Sequence, residues 1–409
     1  MTILTPFRTT ALALLLGSSA LAQSLETPAT AAYVVDLTTD TVLLAKNEDE
    51  ALPPASMSKL MTIYMAFEAI RDGRLSLDDE LPVSAHAASF GGSSMFLDTT
   101  DRVKVEDLLR GVIVLSGNDS SVVLAEALSP DGTEGGFARM MTERAQQLGM
   151  ENSTFVNSSG WPADGHRMSM EDLGILATRL IEDFPEFYPM FAEQEFEFDL
   201  RVPSNTRNRN PVLGLGIGAD GLKTGHTEEA GYGLTGSAVQ DGRRIVFVIT
   251  GLNSTSQRAE ESEKVVNWAF RNFSQRDVAA AGTRIAEAPV WAGAQDSVGL
   301  TVAEDLSLLV PVLSNDGIEA RVIYDGPLEA PIAQGEQVAE LLVSFDDLPD
   351  RRIPLVAETA VEAGGVGSRL KTAAAVLWRK SGAAEMLGTL PIPGVGGEAE
   401  EAEAVTEGS

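Results

Sequence analysis

Pro54-Ala55-Ser56-Met57-Ser58-Lys59-Leu60-Met61-Thr62 opens a run with apolar residues at helical spacing, namely Leu60, Ile63, Tyr64, Phe67 and Ile70. Pro53-Pro54 before it and Gly73 after it punctuate a helix over residues 57–70. Upstream, residues 32–37 and 41–45 are β-rich and separated by Thr38-Thr39-Asp40, which reads as a hairpin. Downstream, helical patterns recur over residues 105–115, 121–128, 137–148 and 171–181. The period becomes strand-like after Asp220: residues 232–239 and 244–250 flank Asp241-Gly242, a type I′ turn pair, and residues 260–273 return to helix. Strands at both ends of a helical middle predict an α+β domain, one antiparallel sheet flanked by helices inserted between its strand pairs.

Three short motifs supply chemistry to that frame. Ser56 and Lys59 lie three apart at the start of a helix and so project from one face. A serine hydroxyl needs a base, and a lysine amine depressed by burial and a second cation can serve as one. Ser116-Gly117-Asn118 falls between two helical patterns. Ser116 can relay a proton to a leaving amine, while Asn118 can orient Lys59 and hold a substrate amide. Lys223-Thr224-Gly225 precedes the second hairpin: Lys223 offers positive potential and Thr224 a hydroxyl to a substrate carboxylate, and Gly225 lets a substrate backbone lie alongside. Each motif alone also has a bland reading, as a helix cap or a solvated lysine on a strand. The chain has only seven lysines, and two of them fall in these motifs. All three in order and in fitting contexts make the joint bland reading untenable.

The bulk composition narrows the class. A net charge of -30 over 409 residues argues against a nucleic-acid partner, and the absence of cysteine excludes disulfides and thiol chemistry. His86, His166 and His226 show no metal-ligand spacing, and no G-x-S-x-G elbow surrounds a serine, so neither metal nor cofactor is expected. Arg8, the apolar run over residues 11–16 and Ala20-Leu21-Ala22 have the layout of a signal peptide over residues 1–22. The domain expected over residues 23–275 gives way to short β-runs and turns, read as a small all-β domain over residues 276–362. Residues 363–381, with Trp378 and the basic Arg369, Lys371, Arg379 and Lys380, read as an amphipathic membrane-surface helix of weak affinity, nearly balanced by a solvated-helix reading. Residues 382–409 form an acidic tail of disordered composition.

The stretches 54–62, Leu115-Ser116-Gly117-Asn118-Asp119 and Asp220-Gly221-Leu222-Lys223-Thr224-Gly225-His226-Thr227 resemble a low-molecular-mass penicillin-binding protein of the D-alanyl-D-alanine carboxypeptidase family. The resemblance covers about residues 30–360. It implies a β-lactamase/transpeptidase-like fold followed by a small β domain and a C-terminal helix. It makes Ser56 the acylated nucleophile and Lys59 its base, assisted by Ser116, Asn118 and Lys223. Lys223, Thr224, Gly225 and His226 would bind substrate, with the backbone N–H groups of Ser56 and His226 as oxyanion hole. Arg209 and Arg258 match family arginines near the site, which implies that one or both help bind the terminal carboxylate; each reads equally well as a member of a surface or structural ion pair. The implied partners are a peptidoglycan stem peptide ending in D-Ala-D-Ala and β-lactams as covalent inhibitors; the implied location is the periplasm, peripheral to the outer face of the inner membrane. A class A β-lactamase is the nearest rival, but the stretch from His166 to Leu173 lacks E-x-x-L-N, and Gly117 stands where that family carries Asp. A DD-endopeptidase and a catalytically silent peptidoglycan-binding scaffold are further rivals.

Overall fold

Residues 31–36 are buried at every position, which a strand achieves only when both faces of its sheet are covered. The computed structural model describes residues 25–312, 318–345, 350–367 and 370. The expected signal segment, the acidic tail and the greater part of the expected C-terminal helix lie outside the described residues. Strand β1 (Ala31–Asp36) pairs antiparallel with β2 (Thr41–Lys46), the first expected hairpin. Helix α1 (Lys59–Arg71) is preceded by a 3-10 turn, Ala55–Ser58. Next come β3 (Glu80–Pro82), α2 (Ala85–Ala88), β4 (Arg102–Lys104), α3 (Val105–Ile113), α4 (Asn118–Leu128), α5 (Glu134–Gln147) and α6 (Met170–Asp183). Strands β5 (Ala219–Thr227), β6 (Gly231–Gln240) and β7 (Arg243–Leu252) return the chain to the sheet, and α7 (Thr255–Asn272) follows. The main sheet has the order β2-β1-β7-β6-β5, antiparallel throughout, with β5 at an edge. Asp241 and Gly242 both take positive φ, 50° and 84°, as a type I′ turn requires.

Alternation along β1 and β7 sorts the two cores. Tyr33, Val35, Val246 and Val248 face the helical layer, packing with Phe67, Leu109, Phe137 and Leu173. Ala32, Val34, Ile245, Phe247 and Ile249 face α7, through Val265, Val266 and Ala269. Arg243 locks the second layer: it pairs with the fully buried Asp36 at 2.7 Å and donates to the carbonyls of Ala269 and Phe273 at the end of α7. A guanidinium there satisfies orphan helix carbonyls and complements the helix dipole.

The described residues from 273 to 363 build strands joined by turns and loops. Phe273–Ala279 continues directly from α7 and pairs with Leu306–Pro311. Arg284–Trp291, Ser297–Val302, Ile318–Ile323, Leu328–Glu329, Gln337–Phe345 and Arg351–Ala357 build a six-stranded sheet. Its own apolar core includes Val298, Leu300, Leu341, Val343 and Leu355. The fold is thus a helix-flanked antiparallel sheet plus a C-terminal all-β domain.

Candidate active site

Ser56 sits on the 3-10 turn and not on α1 itself, a small correction to the expected helix start. With three residues per turn, Ser56 and Lys59 eclipse each other. Lys59 Nζ lies 2.9 Å from Ser56 Oγ, and it also donates to Asn118 Oδ1 at 2.8 Å and to the Ser159 carbonyl at 2.6 Å. Those last two partners are acceptors only. They engage both protons of a neutral amine and leave its lone pair for the Ser56 hydroxyl. Lys59 is fully buried, and burial together with the nearby Arg209 charge lowers its pKa to about 7.

The turn is held in place by close packing. Ala55 takes a positive φ of 49°, costly for a residue with a Cβ. Gly160, at φ 72°, presses against it: a Cβ there would lie 1.8 Å from the Ala55 carbonyl oxygen. Gly225 and Gly233 do likewise from the sheet, where added Cβ atoms would stand 2.9 Å from the Pro54 oxygen and from Met57 Cε. Gly225 therefore has a structural role beside the expected one: its missing side chain admits the nucleophile's own turn.

Ser116 adopts a positive φ of 61° just before α4, and its Oγ accepts from Lys223 Nζ at 2.8 Å. The capping alternative fails for both residues of this motif, because Gly117 is the N-cap and no side chain caps it. Asn118 Nδ2 instead donates to the Gly91 carbonyl at 2.8 Å. Lys223, on β5, also donates to the Thr224 carbonyl at 3.1 Å. Burial and the neighbouring charges of Lys59, Arg209 and Arg258 pull its pKa well down. The free site thus holds Lys223 less firmly as a cation than the sequence suggests, and an incoming carboxylate would restore its charge. Thr224 is buried beside it. The His226 ring is exposed and stacks on Tyr232, centroids 3.8 Å apart, away from Ser56's hydrogen bonds.

Arg209 is presented by its neighbours: Asn208 Nδ2 donates to the Glu193 carbonyl and Asn210 Nδ2 to the Gly221 carbonyl, pinning the loop on both sides. Its guanidinium bonds Ser93 Oγ across the cleft. Arg258, from α7, is buried, donates to the Arg209 carbonyl at 3.4 Å and lies 5.8 Å from the Tyr232 ring centroid. Its Nε has no partner. The ion-pair alternative fails for both arginines: among the described residues, no carboxylate pairs with Arg209, Arg258, Lys59 or Lys223.

Four residues outside the motifs complete the arrangement. Asn157 Oδ1 accepts from the backbone N–H groups of Ser159, Gly160 and Trp161, shaping the loop that brings the Ser159 carbonyl to Lys59. Glu134 anchors the same loop through Ser158 N and Oγ. Asp119 accepts from Ser94 Oγ and the N–H groups of Met95 and Leu97, fixing the wall opposite. His166 is buried, with Nε2 2.8 Å from Ser58 Oγ and Nδ1 accepting from Val156 N–H at 3.2 Å. That pattern assigns the proton to Nε2. Burial and the charges of Lys59 and Arg167 lower its pKa to about 4, so it is neutral at pH 7. Glu171 and Asp172 sit in the first turn of α6, capped by Ser169, as the sequence pattern implies.

A serine coupled to a buried lysine, with a second lysine on the adjoining strand edge, defines the penicillin-recognising serine enzymes as a class. Residues 18–254 match the D-alanyl-D-alanine carboxypeptidase family, and residues 273–363 match the family described as penicillin-binding protein 5, C-terminal domain. The chain is 36% identical over 345 residues to the D-alanyl-D-alanine carboxypeptidase DacD of Salmonella typhimurium, covering 82% of this chain and 87% of that one. It superimposes on penicillin-binding protein 5 from Haemophilus influenzae with a TM-score of 0.72 at 32% identity, covering 83% and 99% of the two chains. A third match is penicillin-binding protein D2 from Listeria monocytogenes in its ampicillin-bound form, with a TM-score of 0.54 at 31% identity over 59% of this chain and 98% of that one. The chain belongs to the D-alanyl-D-alanine carboxypeptidase family, whose members are serine peptidases.

Proposed function

We propose that Ser56 is the acylated nucleophile of a serine-type D-alanyl-D-alanine carboxypeptidase that removes the terminal D-alanine from peptidoglycan pentapeptides. The observation that carries this is the contact of Ser56 with a fully buried lysine whose pKa is about 7. Neutral Lys59 takes the Ser56 proton as the oxygen attacks the carbonyl of the D-Ala-D-Ala bond. The backbone N–H groups of Ser56 and His226 face the developing oxyanion; β5 is an edge strand and has backbone groups to offer. Ser116, bonded to Lys223, passes a proton to the leaving amine and is reprotonated by the one Lys59 took, and D-alanine departs. Water then attacks the ester, restoring Ser56.

The cations without counter-charges serve the substrate's terminal carboxylate. Arg209 offers a fork, Lys223 and Thr224 a charge and a hydroxyl, and Arg258 supports Arg209 from behind. β-Lactams carry the same carboxylate and a strained amide in place of the peptide bond, and are expected to acylate Ser56. Among the described residues no carboxylate is hydrogen-bonded to Ser56 or Lys59, which favours peptide trimming over β-lactam destruction; Glu171 lies instead by Glu48 and Asp49. The test is mass spectrometry of products from a muramyl pentapeptide, together with labelled penicillin. Loss of one alanine and labelling abolished in Ser56→Ala are expected; a labelled Ser56→Ala protein refutes the assignment.

The N-terminal pattern supports export to the periplasm, and the basic, Trp-bearing residues 363–381 support weak contact with the outer face of the inner membrane. Co-sedimentation with anionic liposomes of the full chain against one ending at Gly364 tests that contact. Equal binding removes it.

A further inference from the structure

We propose that His86 is a positioning residue for the general base: it holds Glu134, and through Glu134 the loop whose Ser159 carbonyl fixes Lys59. The proposal rests on the function assigned above and extends its machinery by one residue. His86 belongs to none of the three motifs and lies on α2, a helix of four residues. That helix is itself anchored, because its N-cap Ser84 accepts from the Ala87 N–H and donates to Glu126 Oε1 on α4 at 2.9 Å. From there His86 Nε2 meets Glu134 Oε2 at 3.0 Å. An ionised carboxylate only accepts, so the proton is assigned to Nε2. The histidine side chain is half exposed, while that of Glu134 is only 9% exposed. A carboxylate so deeply buried needs donors, and His86 reaches in from the surface to supply one.

What the bond does follows from the other oxygen of Glu134. Oε1 accepts from Ser158 N–H at 3.0 Å and from Ser158 Oγ at 2.7 Å. Glu134 is the first residue of α5, where a free carboxylate is drawn to the N–H groups of its own helix. His86 keeps it turned towards the loop instead. Ser158 is fully buried, and its carbonyl accepts from Thr62 Oγ1, three residues along α1 from Lys59, at 2.7 Å. The next carbonyl in the chain, that of Ser159, takes a Lys59 proton at 2.6 Å. A second route reaches the loop from its far side. The His86 ring meets Phe90 edge-on, centroids 5.1 Å apart at 79°, and Phe90 meets Trp161 in the same way at 6.3 Å and 84°. The two routes grip the loop at 158 and at 161, on either side of the residue that serves Lys59. The hydrogen bond reaches Ser158 through one side chain and carries the role. If the Ser159 carbonyl shifts, one amine proton loses its acceptor and the lone pair is no longer held on Ser56 Oγ. Arg209, Lys223 and Thr224 lie outside both routes, so the effect falls on the chemical step and not on carboxylate binding.

The test measures acylation of Ser56 by a fluorescent penicillin in single turnovers, which separates the saturating rate from the half-saturating concentration. His86→Ala is expected to lower the saturating rate about fivefold, the scale of one hydrogen bond, and to leave the half-saturating concentration within about twofold of wild type. His86→Gln, which can still donate to Glu134, should recover most of the rate. His86→Phe keeps a ring against Phe90 but has no donor, and should stay as slow as His86→Ala. Equal losses in the Gln and Ala variants, recovery by Phe but not by Gln, or a loss confined to the half-saturating concentration overturns the role. So does a rate loss that tracks a lowered thermal unfolding midpoint. If wild type is acylated and His86→Ala matches it, the positioning role fails and the nucleophile stands. If wild type is not acylated at Ser56, the underlying function fails and the positioning role with it.

Discussion

Replacing Arg209 separates two jobs that the site assigns to one side chain. Its guanidinium is the largest charged influence lowering the Lys59 pKa, second only to burial, and it is also the fork offered to a substrate carboxylate. A unit charge acting across a site at an effective dielectric of about 20 contributes roughly 1–2 kcal/mol, about one pKa unit. Lys59 must be neutral to act as base, so acylation rises with pH through its pKa, with a midpoint near pH 7 in wild type. Removing the cation favours the protonated amine and moves that midpoint up. For Arg209→Gln we expect a shift of about one unit, which alone slows acylation about fivefold at neutral pH and is recovered above about pH 9. Loss of the fork lowers the alkaline plateau at every pH. Arg209→Lys keeps the charge and loses the fork, so it should lower the plateau with its midpoint unmoved. The assay is the second-order rate constant of acylation by a fluorescent penicillin across the pH range. A Gln variant with the wild-type midpoint refutes the electrostatic argument even if its plateau falls.

Other substitutions test the supporting structure. His166→Ala should slow acylation by about tenfold or more, whereas His166→Gln, which can still donate to Ser58, should recover most of it; equal loss in both would show that the Ser58 contact is irrelevant. The same histidine has a folded pKa below its ordinary value, so its contribution is complete above pH 6.5 and declines as pH falls towards about 4. Urea titrations should show a stability loss of about 3 kcal/mol over that window which His166→Gln lacks. Lys59 is also depressed, and because the unfolded chain binds its proton more tightly, stability should rise with pH between about 7 and 10.5; Lys59→Met should flatten that rise. Gly160→Ala, which drives a methyl into the Ala55 carbonyl, should abolish penicillin labelling or cost several kcal/mol in the thermal unfolding of the domain; unchanged labelling and unfolding would refute the packing argument.

The sheet could be read from sequence because its signals are local. Thr38-Thr39-Asp40 and Asp241-Gly242 mark turns by residue type, and the helical patterns of α1 and α3–α6 repeat at a period that only a helix satisfies. The motif residues could be read because their chemistry resides in side chains: Lys59 bonds both Ser56 and Asn118, and Lys223 bonds Ser116. The contributions of the 157–161 loop could not. The acceptor that completes the Lys59 environment is the Ser159 carbonyl, and every residue type carries one. Glu134 and Asp119 act on groups more than twenty residues along the chain, so no spacing announces them, and Asn157 makes a local turn that shows nothing of the lysine it serves. His166 showed only as one of three histidines, and its partner Ser58 is the second serine of the Ser56 motif, to which the motif's chemistry assigns nothing. Arg209 and Arg258 were ambiguous because an arginine's sequence context does not reveal whether a carboxylate waits nearby.

The lack of a paired carboxylate is the physical core of the site: Asp119 and Glu134 lie near enough to raise the Lys59 pKa, yet serine and backbone donors engage them. A chain of net charge -30 has acidic side chains to spare, yet four cationic side chains converge here without an ion-pair partner among the described residues. Burying cations without counter-charges is costly, and the chain meets that cost partly by letting the lysines approach neutrality. The result suits both steps of the proposed chemistry. An uncompensated positive field attracts a terminal carboxylate through an otherwise acidic surface. The same field keeps Lys59 near neutrality, and a carboxylate placed inside the cluster to stabilise it would raise that pKa again. The substrate's carboxylate avoids the conflict by arriving at the Lys223 end, where Arg209 and Thr224 receive it. The charge that completes the cluster is then present only while there is a peptide to cut.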